Sequence, residues 1–72
     1  MEYAIVIEKG PGSANYSAYV PDLPGCVATA ATVDEIKRLM EEGIAFHIEG
    51  LREDGLPIPE PSTKVAVVEV AA

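Results

Sequence analysis

One stretch of this chain admits a single reading, and it dictates what the rest must supply. Thr32-Val33-Asp34-Glu35 is a capping box, in which a threonine hydroxyl takes the N–H three residues on and opens a helix. From Val33 to about Asp54, the residues Ile36, Met40, Gly43, Ile44, His47 and Leu51 recur on one stripe at helical spacing. Glu35, Glu42, Glu49 and Glu53 collect on the other side. The apolar stripe is the face that covers a sheet. Leu39 and Phe46 form a second apolar strip beside it, so the apolar arc is wider than one packing surface requires and offers a seat for another subunit.

The sheet has to come from the flanking residues. Glu2 to Glu8 alternates, with Tyr3, Ile5 and Ile7 on one side and Ala4 and Val6 on the other, which predicts a first strand. Gly10-Pro11-Gly12-Ser13 breaks regular structure, and Tyr16 to Val20 folds back as a hairpin partner. Pro21-Asp22-Leu23-Pro24-Gly25 is a defined turn, because proline fixes φ and glycine takes positive φ cheaply. Cys26 to Thr29 is a short third strand. Gly55 followed by Leu56 caps the helix C-terminus, and Pro57, Pro59 and Pro61 impose an extended exit. Lys64 to Val70, with Val65, Val67, Val68 and Val70, reads as a last strand pairing back onto the sheet. The expected architecture is α+β, a single small domain over residues 1–72 in the order β-β-β-α-β, with an antiparallel sheet covered by one helix.

Size and charge narrow the function. A core drawn from 72 residues buries only about 60% of the unfolded surface, so oligomerisation, as a dimer or tetramer, is an expected source of stability. Lys and Arg number 5 against 12 acidic residues, and the net charge of -7 repels a phosphate backbone, which argues against direct nucleic-acid binding. The same field speeds encounter with a basic protein. The lone cysteine cannot close a disulfide within the chain, no secretory pattern is present and no apolar run approaches membrane-spanning length. The cytoplasm is the expected compartment.

A search for catalytic chemistry finds little. The single histidine, His47, lies on the core-facing stripe among Met40, Ile44 and Leu51, where a lone histidine is more often a core or subunit-boundary residue than a ligand or base. Cys26 reads as a small buried apolar residue opening a strand in preference to a reactive thiol. No CxxC, HxxxH or HExxH spacing occurs, so neither a metal nor a cofactor is expected. Asp22 could act as a base or metal ligand, but an aspartate ahead of Leu-Pro-Gly more often bonds the local backbone in an Asx-turn. The candidate contact residues for a basic partner are therefore Leu39, Glu42, Phe46, His47 and Glu49, on the helix.

Tyr19-Val20-Pro21-Asp22-Leu23-Pro24-Gly25-Cys26, followed by Thr32-Val33-Asp34-Glu35, resembles the signature of the HicB-like antitoxins. His47 to Gly55 and the exit Pro57-Ile58-Pro59-Glu60-Pro61-Ser62 are similar to that family's helix end and proline-rich segment. The resemblance implies a partial ribonuclease H-like fold in β-β-β-α-β order. It further implies a non-catalytic protein that covers the active face of a small basic HicA-like, mRNA-cleaving toxin. Many family members add a ribbon-helix-helix or helix-turn-helix DNA-binding module, and none is readable in this sequence. Two alternatives stand beside this reading. One is an orphan, homo-oligomeric HicB-like domain with a regulatory role. The other, more remote, is a metal-dependent ribonuclease H-like hydrolase built on Asp22 with Glu8 or Glu69.

Overall fold

The computed structural model describes residues 1–71. Three strands, β1 (Val6–Lys9), β2 (Tyr16–Tyr19) and β3 (Val27–Ala30), precede one long helix, α1 (Val33–Glu53). They form an antiparallel sheet in the order β1-β2-β3. Val6 stands opposite Tyr19 and Lys9 opposite Tyr16, and on the other side of β2 Tyr16 faces Ala30 and Tyr19 faces Val27. The β1–β2 connection closes where the Ser13 N–H donates to the Gly10 carbonyl at 3.0 Å, with Gly12 at φ 71°, a conformation that glycine adopts without steric cost.

Alternation decides what each strand buries. In β2, Ala18 points into the core while Ser17 and Tyr19 face solvent; in β3, Ala30 is buried and Val27 and Thr29 are exposed. Small inward residues let the helix approach closely, and at Gly43 an added Cβ would meet the Cys26 sulfur at 3.9 Å. The core is completed by Val20, Leu23, Cys26, Ile36 and Met40. Helix α1 packs over β2 and β3, leaving the β1 side of the sheet more open beneath it. No helix among the described residues is long and apolar enough to cross a membrane.

Both helix ends form as their local sequence dictates. The Thr32 hydroxyl accepts the Glu35 N–H at 3.1 Å. At the other end, Gly55 (φ 68°) donates to the Arg52 carbonyl at 3.1 Å and Leu56 donates to the Leu51 carbonyl at 2.9 Å, the paired bonds of a Schellman cap. The second and third strands lie within one residue of their expected bounds, while β1 begins at Val6 instead of Glu2. Its shortening has a cause in β2. Beyond Tyr19, the next position due to face β1 is Pro21, which has no N–H and opens the turn, so Tyr3 to Ile5 have no ladder partner, although Tyr3 and Ile5 still pack against the core.

One expected element is not formed. Lys64 to Val70 is not a strand, and its four valines stand in solvent, Val67 at 95% exposure. Four elements in β-β-β-α order therefore replace the five expected. β-branched residues favour an extended backbone, but a strand exists only where a neighbouring edge takes its hydrogen bonds, and within this chain the segment meets none.

Candidate protein-interaction surface

The outward face of α1 is a ridge of carboxylates with one aromatic ring in its midst. Glu35, Glu42, Glu49 and Glu53 are all exposed, and Phe46, one turn beyond Glu42, is 83% exposed. Spacings of four, three and four residues from Glu42 through Phe46 and Glu49 to Glu53 keep these side chains on one side of the helix. A large apolar ring left bare on a rigid helix and framed by charge has the composition of an anchor for a partner's pocket.

Leu39 and Phe46, expected as one strip, part company. Leu39 is half-buried and packs against the core, so it has an intrachain partner, whereas Phe46 has its ring in water. His47 is half-buried on the core-facing stripe, away from the glutamate ridge. Among the five candidate contact residues, the fold thus brings Glu42, Phe46 and Glu49 together on an exposed surface and draws Leu39 and His47 inward.

The turn residues divide in the same way. Pro21, Pro24 and Gly25 are exposed, and Gly25 at φ 86° permits the reversal. Leu23, between the prolines, is 0% exposed and one of the deepest residues of the core. The turn is closed by backbone bonds, from the Leu23 N–H to the Val20 carbonyl and from the Cys26 N–H to the Leu23 carbonyl, both at 3.1 Å. Cys26 is buried, and the loss of solvent pushes its thiol pKa up, away from the reactive thiolate.

Asp22 is structural, but not through the Asx-turn expected of it. Its carboxylate reaches residues 40 and 41 positions away in the sequence. Oδ1 accepts the Ser62 hydroxyl at 3.0 Å and the Thr63 hydroxyl at 2.8 Å, and Oδ2 accepts the Ser62 N–H at 3.0 Å and the Thr63 N–H at 3.1 Å. These bonds, the Thr63 hydroxyl's foremost, hold the Asp22 pKa down from 3.8 to about 2. The Tyr3 hydroxyl likewise donates to the Pro59 carbonyl. Together they fasten the proline-rich exit across one end of the sheet. Sequence reasoning missed this latch, and the only local cue was a pair of adjacent hydroxyl residues directly after the last proline.

The acidic set imagined for a hydrolase is not assembled. Glu8 lies opposite Ser17 near the β1–β2 connection, Asp22 is beyond the other end of β2 with both oxygens engaged, and Glu69 is on the exposed tail. Among the described residues no three His, Cys, Asp or Glu side chains are grouped to hold a metal ion.

A three-stranded sheet backed by one helix, with a latched proline-rich exit, defines a small α+β protein. Residues 3–71 match the family model described as the HicB_like antitoxin of bacterial toxin-antitoxin systems, and the chain belongs to that family. It is similar to a 14.9 kDa protein of the rep-hol intergenic region of Haemophilus phage HP1, with 42% identity over 60 residues covering 83% of this chain and 44% of that protein. This chain thus spans less than half of that relative. A UPF0150 protein of Archaeoglobus fulgidus is 40% identical over 57 residues, covering 76% of this chain and 81% of that one. Among solved structures, a chain of the HicA3 and HicB3 toxin-antitoxin complex superposes with a TM-score of 0.71 at 35% identity, over 86% of this chain and 70% of that chain.

Proposed function

We propose that this protein is a non-catalytic antitoxin that neutralises a small, basic, HicA-like RNA-cleaving toxin by binding over its active face. The observation that carries the reading is Phe46, an exposed ring set among glutamates on the rigid outer face of α1. The family, and the likeness to a chain of a toxin-antitoxin complex, support a toxin as the partner. Affinity would come from burying the ring, and the net charge of -7 would steer a cationic surface towards it.

The test is an RNA-cleavage assay in which a HicA-type toxin is titrated with this protein. Wild-type protein should abolish cleavage at a stoichiometric amount. Phe46→Asp should raise the concentration required by about 30-fold or more, the loss of a hot spot of about 2 kcal/mol. Inhibition should weaken with added salt as the steering is screened. Undiminished cleavage at a large excess of folded wild-type protein would sink the proposal.

A further inference from the structure

The tail and the groove beside β1 are complementary, and one chain does not bring them together. Past Thr63, Ala66, Val68 and Val70 fall on one face of an extended segment and Val65 and Val67 on the other, and all are exposed. β1 is an edge strand with hydrogen bonds to β2 on one side only. Because α1 packs over β2 and β3, the space beneath the helix beside the residues leading into β1 is an open, largely apolar groove, with Met1, Tyr3 and Ile5 on one wall, Ile44, Ala45 and Ile48 on the other, and Lys37, Glu41 and Arg52 at its margin. A sheet one strand wider would fill it.

The chain's own tail is led away from that edge. Pro59 is tied to Tyr3, on the β1 side, whereas Ser62 and Thr63 are tied to Asp22, past the end of β2. The chain therefore crosses from β1 towards β2 just before the tail begins. Seven extended residues then reach about 23 Å from the latch, ample to meet another molecule.

We infer that Lys64–Val70 of each chain adds as a strand to the free edge of β1 in a second copy, seating Ala66, Val68 and Val70 in the groove, in a reciprocal dimer. This goes beyond the proposed toxin binding and does not depend on it. Two-fold exchange satisfies both tails and both edges at once, and it covers an apolar segment and an unpaired edge that would otherwise invite uncontrolled pairing.

Light scattering on the full chain at micromolar concentration, paired with hydrogen exchange, tests the inference. Wild-type protein should show the mass of two chains, with the amides of residues 65–70 protected. Val68→Asp, on the tail, and Ala45→Arg, in the groove, should each halve the mass and remove that protection, while circular dichroism shows the helix retained. A monomeric wild type overturns the inference, whether its tail is unprotected, protected within one chain or protected only once a HicA-type toxin is added. So does a dimer that survives Val68→Asp. A dimer broken by Val68→Asp but not by Ala45→Arg also overturns it, because the tails would then pair with each other.

Discussion

The turn Pro21–Cys26 and the tail Lys64–Val70 invert what their compositions foretell. The turn carries two prolines and a glycine, the residues of surface reversals, yet its Leu23 is 0% exposed. The tail is made largely of valine, a residue of strands and cores, yet Val67 is 95% exposed. What separates them is closure. The turn is cinched by three backbone bonds between Val20, Leu23 and Cys26, which aim Leu23 beneath the helix beside Ile36 and Met40. The tail is held only at its root. Burial follows from what surrounds a side chain, and propensity only prepares a backbone to accept such surroundings.

The hardest blow to this contrast would come from Leu23. Leu23→Ala should cost about 2–5 kcal/mol, a large share of the stability of so small a domain, whereas Phe46→Ala on the exposed ridge should stay within about 0.5 kcal/mol. Urea unfolding followed by circular dichroism measures both. A Leu23→Ala cost no greater than that of Phe46→Ala would show that the turn does not anchor the core.

A smaller effect tests whether the helix that closes over the turn relies on its own cap. Thr32→Ala removes the hydroxyl that accepts the Glu35 N–H and should cost about 1 kcal/mol in the same assay. Thr32→Ser, which keeps the acceptor, should restore most of it.

The latch gives the subtlest change and separates head from tail most sharply. Asp22→Asn should leave the unfolding midpoint of the head nearly unaltered while speeding hydrogen exchange at Ser62 and Thr63. Acid should act in the same way. The folded-state pKa is depressed from 3.8 to about 2, so the latch's contribution is fully present above about pH 4 and is lost as pH falls towards about 2. Exchange at these two amides that did not respond to Asp22→Asn would mean that something other than the carboxylate holds the exit.

How much of this was legible in the sequence depends on the reach of each interaction. The helix was readable to within a residue, since Thr32 and Gly55 act on groups at most a few positions away. The hairpin strands were readable because each alternates against a close neighbour. Two features were not. The partners of Asp22 lie 40 and 41 residues off, and no periodicity links them. Lys64–Val70 has a strand's composition, but whether an edge receives it is a property of the whole assembly. In the candidate site, the exposed glutamates were legible from helical spacing. The parting of Leu39 from Phe46 was not, since it turns on which part of the helix the sheet covers.

The glutamates around Phe46 have an effect on the protein's own company. Two copies meeting ring to ring would press Glu42, Glu49 and Glu53 of each against the same three of the other, a juxtaposition that like charge opposes and that a cationic counterpart relieves. The helix can thus display a sticky aromatic to its surroundings while refusing its twin. The tail, with Lys64 against Glu69, carries no net charge, so like-charge repulsion bars self-contact at the ridge and leaves the tail untouched by it.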